Sequence, residues 1–325
     1  MKHPRSTFAA CAALVATFCT QSTFAQVPWP AKTVRVIVPS TPGGGTDAYA
    51  RLISAALSDS LKQQFVVENR SGGNGNLGAE AAARAAPDGY TILITASPSL
   101  IMNPVLYKNL GFSAERDLTP VAAGVISPLI FVVHPSVPAR TLAELVAIGR
   151  KEPGKLTYGS AQATSSTALG VRLLEDVSGA QFTNIPYKGL GQSVQNLLSG
   201  EISFMYSDVV AILAQLKAGK VIALAASTKI NQLPNVPTVA DAGWPDAGVH
   251  ASFMVAAPTG VPGVVVQRLN SEINRLEKTP DIAARLDAAV LIPIFETPAE
   301  FAARLTKERE KWAGHIKRLG VKVDE

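Results

Sequence analysis

The stretch TVRVIVPSTPGGGTD, residues 33–47, joins a short run rich in β-branched residues to a loop with three consecutive glycines. The β-branched run, which ends at Pro39, predicts a strand. Apolar residues at positions 0, 3, 4, 7 and 8 counted from Tyr49 predict a helix after the loop. This strand–loop–helix unit is typical of an α/β sheet, whose ligands bind at the carboxyl ends of the strands. The loop therefore lies where a binding site is expected.

The same alternation continues along the chain in two runs. Gly179 and Gly219 end predicted helices of the second run. The sequence predicts strands at residues 64–68, 91–95, 129–134, 155–160, 182–186, 201–206, 221–227, 252–258 and 292–296. It predicts helices at residues 77–86, 141–150, 167–177, 209–218, 264–276, 281–289 and 298–319. Two β/α runs favour two α/β domains, each with a mostly parallel sheet flanked by helices.

The last elements are too few to form a third domain, so we expect them to return to the first. This gives domain 1 residues 26–127 plus 255–325 and domain 2 residues 128–254, with chain crossings near residues 125–130 and 250–257. A double crossover is typical of a hinged protein that closes a cleft over its ligand.

The N-terminus has the features of a secretory signal peptide. Lys2 and Arg5 precede an apolar run at residues 8–19, which is too short to span a bilayer as an ordinary helix. Small residues at Thr23 and Ala25 predict cleavage after Ala25, so residues 1–25 are the signal peptide. Both cysteines lie within it. We therefore expect an exported protein in the periplasm.

Composition and motifs exclude several classes of function. The 325 residues are 47% hydrophobic, and the net charge of +5 comes from scattered side chains, so neither disorder nor nucleic-acid binding is expected. His134, His250 and His315 lack metal-ligand spacing, and the sequence contains neither a nucleophile elbow nor an H-E-x-x-H motif. The sequence thus predicts no enzyme activity, no metal and no cofactor.

The first glycine loop is the leading candidate for a site. Its glycines leave backbone N–H groups uncovered, and a helix that starts after it favours an anion. The alternative is a flexible turn with Thr46 as the helix N-cap. Asp47 would repel a carboxylate, so a capping role suits it better unless the ligand carries an amine. The candidate ligand-binding residues are Thr41, Pro42, Gly43, Gly44, Gly45, Thr46 and Asp47.

Other segments add weaker candidates. Residues 73–78 match G-x-G-x-x-G, but residues 69–72 separate them from the strand and no acid follows the next strand, so we expect a structural turn at the rim of the site rather than a dinucleotide site. A hydroxyl-rich segment at residues 160–167 can donate hydrogen bonds to an anion, or simply cap a helix through Ser165 or Ser166. The further candidates are Ser97, Ser99, Ser160, Ala161, Gln162, Thr164, Ser165, Ser166 and Asp208.

A series of short motifs resembles the Bug family, the periplasmic solute receptors of tripartite tricarboxylate transporters. The motifs occur in order along essentially the whole chain after residue 25. They are PGGGTD at 42–47, VVENR at 66–70, APDGYT at 86–91, YGS at 158–160, IPYKG at 185–189, LPNVPT at 233–238 and APTGVP at 257–262.

The resemblance implies a two-domain periplasmic-binding-protein-like (Venus flytrap) fold with two hinge crossings. It also implies that the loops at residues 41–47 and 160–166 hold a small organic mono- or dicarboxylate, aliphatic or aromatic, from opposite domains. The receptor would be a monomer that delivers this ligand to a membrane permease. Alternatively, it would present the ligand to the ectodomain of a sensor kinase. Gln162, Thr164 and Asn184 depart from the family pattern, so the resemblance does not identify the ligand.

Overall fold

The computed structural model describes residues 29–160, 165–187 and 190–321. The predicted signal peptide, residues 1–25, lies outside them, as do residues 188–189 of the IPYKG motif. The strands are β1 (Val34–Val38), β2 (Phe65–Asn69), β3 (Thr91–Ala96), β4 (Leu118–Ser127), β5 (Leu129–Val133), β6 (Thr157–Ser160), β7 (Thr183–Pro186), β8 (Phe204–Asp208), β9 (Ile222–Ala226), β10 (Ala251–Pro258) and β11 (Ile292–Pro293). The helices are α1 (Gly45–Leu61), α2 (Asn76–Ala83), α3 (Asn103–Leu106), α4 (Leu142–Lys151), α5 (Ser166–Ser178), α6 (Leu190–Leu198), α7 (Val209–Lys217), α8 (Gly263–Leu276), α9 (Pro280–Ala288) and α10 (Pro298–Leu319).

These strands form two sheets. The first has six strands in the order β11-β4-β10-β3-β1-β2, and the second has five in the order β7-β6-β8-β5-β9. The first sheet therefore combines strands from both ends of the described chain, as the predicted return of the C-terminal elements requires.

Both sheets are mixed but mostly parallel, as predicted: four of the six strands of the first sheet and four of the five strands of the second run in the same direction. In the first sheet β10 runs antiparallel to β3 and β4, and in the second β5 runs antiparallel to β8 and β9. The other neighbours that pair directly in each sheet are parallel, apart from the short edge strand β11. β5 enters the second sheet directly from β4 of the first, and β10 enters the first sheet from the segment that follows β9 of the second. Because they enter at the edge where the parallel strands end, they must run in the opposite direction.

The first crossing is short, whereas residues 227–250 lie between β9 and β10. Pro128 separates β4 from β5, and His250 immediately precedes β10. The domain bounds 26–127 plus 255–325 and 128–254 remain a prediction, although the pairing of β10 places its whole length, from Ala251, in the first sheet.

Helix α10 packs on the first sheet, and its C-terminal end contacts α5, which flanks the second sheet. Phe301 is buried in the first turns of α10, while Arg172 of α5 donates a hydrogen bond to the carbonyl oxygen of Leu319, at 2.8 Å. Arg318 also pairs with Asp176 of α5. The C-terminal helix thus joins the two halves of the molecule outside the two crossings. Within the described part of the chain, no helix combines the length and apolar character that crossing a membrane would require.

Candidate functional site

The first glycine loop leads into α1 with an open helix N-terminus. Gly44 is the N-cap and provides no side-chain cap, so the prediction of Thr46 as the N-cap is wrong. Thr46 is instead the second helical residue, because the backbone already turns helical at Gly45. The first N–H groups of a helix have no partner within it. Those of Gly44, Gly45 and Thr46 therefore remain available to an anion, with the positive end of the helix dipole behind them.

Asp47 holds this loop together from within. Its Oδ2 accepts hydrogen bonds from the N–H of Gly43 at 2.9 Å and from Nε of Arg51 at 3.0 Å, and its Oδ1 accepts one from Asn69 at 2.8 Å. The residue is only 3% exposed. Burial acts to raise the pKa of Asp47, but the hydrogen bonds from Arg51, Gly43 and Asn69 outweigh it and hold the pKa below its ordinary value. Asp47 is thus an ionised structural group whose charge Arg51 compensates.

The second glycine loop lines the same cavity as the first. This cavity, which we call the loop pocket, has a volume of about 310 Å³ and is lined by Pro39, Ser40, Thr41, Thr46, Ser71, Gly72, Gly73, Asn74, Gly75, Thr95, Ala96, Pro98 and Ser99. The second loop was expected to form a turn at the rim of the candidate site, and in the structure it lines this pocket. Pro42, Gly43 and Gly44 are exposed beside it, whereas Gly45 lies against the ring of Phe253.

A buried asparagine that the sequence analysis did not single out fixes the second loop. Asn103, fully buried in α3, donates hydrogen bonds from Nδ2 to the carbonyl oxygen of Asn74 at 3.0 Å and to Oδ1 of Asn76 at 2.6 Å. Asn74 donates back to Asn103 Oδ1 at 3.1 Å. These bonds hold Asn74 in a left-handed conformation with φ +53°. No local sequence pattern connects Asn103 to a loop that lies 29 residues earlier.

The two serines after β3 are separated rather than brought together. Ser99 lines the loop pocket, but Ser97 lines a different cavity of about 180 Å³, together with His250 and His315. Ser97 Oγ accepts a hydrogen bond from the N–H of Ser252 at 3.3 Å. The candidate residue Ser97 therefore lies outside the loop pocket, because β3 continues to Ala96 and the helical turn after it points Ser97 and Ser99 to opposite sides.

In the second sheet, the serines around α5 have structural partners. Ser160 is fully buried at the end of β6, and its Oγ donates to Asn184 Oδ1 at 2.9 Å. Ser165 is the N-cap of α5 and accepts a hydrogen bond from the N–H of Ala168, which confirms the capping alternative for this residue. Ser166 is the first helical residue and is buried. The predicted site residues Ala161, Gln162 and Thr164 lie outside the described residues.

Asp208 is the acidic residue at the end of the second sheet's central strand. It ends β8, is half-buried, and accepts a hydrogen bond at Oδ1 from Ser127 Oγ at 2.9 Å. Burial raises the pKa of Asp208 to about 6, and the hydrogen bond from Ser127 opposes this rise. Ser127 ends β4, so this contact joins the two sheets beside the first crossing.

The loop pocket offers groups that can bind an anion, and the described histidines lie elsewhere. Residues 29–160, 165–187 and 190–321 contain no group of three or more histidine, cysteine or acidic side chains placed to hold a metal ion. His134 bonds to Ser136, whereas His250 and His315 line the smaller cavity, and burial lowers the pKa of each of these two. The loop pocket itself offers backbone N–H groups, hydroxyls and an amide.

Comparison with known proteins decides the family. Residues 49–321 match the family model described as "Tripartite tricarboxylate transporter family receptor". The chain belongs to this family. Protein BugT of Bordetella pertussis is 32% identical to it over 298 residues, covering 91% of each chain. A protein encoded in the tcbD-tcbE intergenic region of Pseudomonas sp. strain P51 is 34% identical over 287 residues, covering 87% of this chain and 85% of that protein.

Solved structures of similar proteins agree with this family of receptors. R. palustris Rpa4515, solved with adipate, is 31% identical with a TM-score of 0.83, over 90% of this chain and 99% of that one. MatC from Rhodopseudomonas palustris, solved with bound malate, is 29% identical with a TM-score of 0.77, over 88% and 99%. The two-domain fold and the Bug resemblance predicted from the motifs are thereby confirmed.

Proposed function

We propose that this receptor binds a small organic carboxylate in the cleft between its two sheets. The observation that carries the proposal is the open N-terminus of α1 at the loop pocket, where the first N–H groups of the helix have no partner within it and the loop contains no lysine or arginine. The homologous proteins solved with adipate and with malate support a carboxylate, and both of these ligands are dicarboxylates. A dicarboxylate would place one carboxylate at the first loop and the other at the start of α5.

Hydrogen bonding from the loop is sufficient for useful affinity. Micromolar binding requires about −8 kcal/mol. A hydrogen bond to a charged group contributes about 1.5–3 kcal/mol, and the helix dipole adds roughly 0.3–1 kcal/mol. Three or four such bonds, together with closure of the cleft, offset the entropy lost on capture. No catalytic group is needed, and we infer that the protein is not an enzyme.

A thermal-shift screen of residues 26–325 tests the binding proposal. Adipate, malate, aromatic carboxylates and amino acids would each be added over a range of concentrations. At 100 times its Kd a ligand adds about 2.7 kcal/mol to stability, which raises Tm by several degrees in a protein of this size. A concentration-dependent rise confined to one class of carboxylate is the expected result. A flat response to the whole panel, repeated with protein refolded to remove any bound solute, would refute the proposal.

We further infer that the receptor works in the periplasm and delivers its carboxylate to a tripartite tricarboxylate transporter. Family membership and the predicted signal peptide support this inference. Deleting the gene should abolish uptake of the carboxylate identified by the screen, and a copy lacking residues 1–25 should not restore uptake. Unchanged uptake with lost gene induction would instead indicate delivery to a sensor kinase.

A further inference from the structure

Asp208 lies level with the first turn of α5. Tyr206 and Asp208 share one face of β8, and the ring of Tyr206 packs so closely on Gly170 that a Cβ there would lie 2.4 Å from Cε1. From Tyr206 to Asp208 the strand advances roughly 6.5 Å towards the cleft. From Gly170 back to Ser166 the helix covers about 6 Å in the same direction. The carboxyl group of Asp208 therefore lies near the N-terminal end of α5, which would hold the second carboxylate of a ligand.

No cation pairs with Asp208 in the part of the chain that the structure describes. Its Oδ1 is occupied by Ser127, and its Oδ2 has no hydrogen bond to any described residue. His250 precedes Ala251, the partner of Ser127 in the β4–β10 ladder, and burial keeps the pKa of its imidazole below the ordinary value. The other titratable or charged side chains on the elements packed around this end are Tyr158 on β6, Tyr206 on β8, Arg172, Glu175 and Asp176 beyond the first turn of α5, and Lys217 at the far end of α7.

We propose that Asp208 is a specificity-determining residue that lets the cleft take a carboxylate only together with one proton. This inference rests on the proposed carboxylate binding. An ionised Asp208 would repel a ligand carboxylate in a half-buried site, where the interaction is only weakly screened. A neutral Asp208 would instead donate a hydrogen bond from Oδ2 to the ligand while Oδ1 keeps its bond from Ser127. The proton comes from solvent and stays on Asp208 until the ligand leaves.

The environment makes this protonation accessible near neutral pH. Burial already raises the pKa of Asp208 to about 6, and an approaching carboxylate raises it further. By linkage, a ligand that binds the protonated form better must lose affinity as pH rises above the pKa of the free protein. If the pKa of the bound form reaches about 8, the affinity falls by about 25-fold between pH 6 and pH 8.

Calorimetric titration with adipate and with malate at pH 5.5, 6.5, 7.5 and 8.5 tests the proposal, with glutamate as an ammonium-bearing probe. Each titration near pH 7 is repeated in two buffers of different ionisation enthalpy, which reports proton uptake. The variant Asp208→Asn keeps a hydrogen-bond donor without a charge. Glu201→Gln makes the same charge change at an exposed position before β8, far from the cleft end of that strand, and serves as the control. Carbon-13 NMR of the ligand-free protein gives the pKa of the Asp208 carboxyl group directly.

The expected result is a fall in wild-type affinity for adipate or malate of about 10-fold or more from pH 6.5 to 8.5, with uptake of up to one proton. Asp208→Asn should bind with little pH dependence and more tightly than wild type at pH 8.5, whereas Glu201→Gln should behave as wild type.

A pH-independent wild-type affinity, or an Asp208 pKa near 4, overturns the proposal but leaves carboxylate binding intact. Tight binding of glutamate that is lost in Asp208→Asn also overturns the proposal, because Asp208 would then pair with the ammonium group. Absence of binding by any probe at pH 5.5, where a pKa of about 6 leaves Asp208 mostly protonated, contradicts the proposed function for these carboxylates and this inference with it.

Discussion

At the scale of single residues, Asp47 occupies one N–H group of the first glycine loop, while the N-terminus of α1 has no side-chain cap. The three glycines and the helix after them predicted uncovered N–H groups, and the open N-cap at Gly44 agrees with this. The N–H of Gly43 is nevertheless occupied by Asp47. Asp47 and Asn69 meet across 22 residues, and no local pattern could have shown that contact. The same limit explains why Asn103 was missed.

Gly44 offers a sharp test of the loop. Its φ of −80° suits proline, and a Cβ there would come no closer than 3.8 Å, to the carbonyl oxygen of Thr41. Gly44→Pro removes one N–H, whereas Gly44→Ala adds similar bulk and keeps it. We expect Gly44→Pro to weaken carboxylate binding by about 10- to 150-fold, the loss of one hydrogen bond to a charged group. Calorimetry measures the affinity, and circular dichroism confirms that both variants fold.

Gly44→Ala should stay within a few-fold of wild type. Equal affinity in the two variants would show that the N–H of Gly44 does not face the ligand. Gly43→Pro would be a poorer test, because the φ of +87° at Gly43 excludes proline and its N–H supports the loop rather than the ligand.

At the scale of elements, strongly patterned segments were predicted within a few residues, and weakly patterned ones were missed. The capping box of Thr141 and Glu144 begins α4 as predicted, and Gly179 ends α5 with a φ of +71°. Strand β4 was missed although it lies inside the first sheet. Its sequence LTPVAAGVIS contains a proline, a glycine and adjacent alanines, so it carries little strand signal. The α3 and α6 helices were missed as well.

Gly124 weakens the strand pattern of β4 in the sequence, but the backbone of β4 requires a glycine at this position. Gly124 has a φ of +64° where the β4–β10 register shifts, and a Cβ there would lie 2.1 Å from the carbonyl oxygen of Phe253. Gly124→Ala should therefore lower the free energy of unfolding by about 3 kcal/mol or more. Gly219 has a similar φ of +67° but no atom within 4 Å, so Gly219→Ala should cost only about 1–2 kcal/mol. Urea unfolding compares the two variants, and equal losses would show that the clash is relieved by a small shift of β10.

At the scale of the whole molecule, the double crossover was predictable because the C-terminal elements were too few to stand alone. The antiparallel direction of β5 and β10 was not predictable from the sequence. A sequence pattern identifies β5 and β10 as strands, but their antiparallel direction follows from entering each sheet across the hinge. The joining role of α10 also depends on side chains, those of Arg172 and Arg318, that look like ordinary surface charges in the sequence.

Glu277 should make the stability of the whole molecule fall as the pH rises from about 5 to about 8. It is 1% exposed, accepts a hydrogen bond at 2.8 Å from the hydroxyl of Tyr49, and leaves its second carboxyl oxygen buried without a hydrogen-bond partner. Burial raises its pKa from the ordinary 4.5 to about 8. Between these values the folded protein holds a proton that the unfolded chain has lost. The free energy of unfolding therefore decreases as pH rises, by up to about 1.4 kcal/mol per unit.

The window from pH 6.5 to 8 isolates this effect, because Asp208 contributes only below about pH 6 and the lowered pKa values of His250 and His315 act below their ordinary 6.5. Glu277→Gln keeps an acceptor for Tyr49 but cannot ionise. Scanning calorimetry across this window should show Tm falling in wild type and nearly constant in Glu277→Gln, with the variant more stable at pH 8. Parallel curves for the two proteins would mean that Glu277 is already ionised in the fold, and that water or a local opening solvates the carboxylate between α1 and α8.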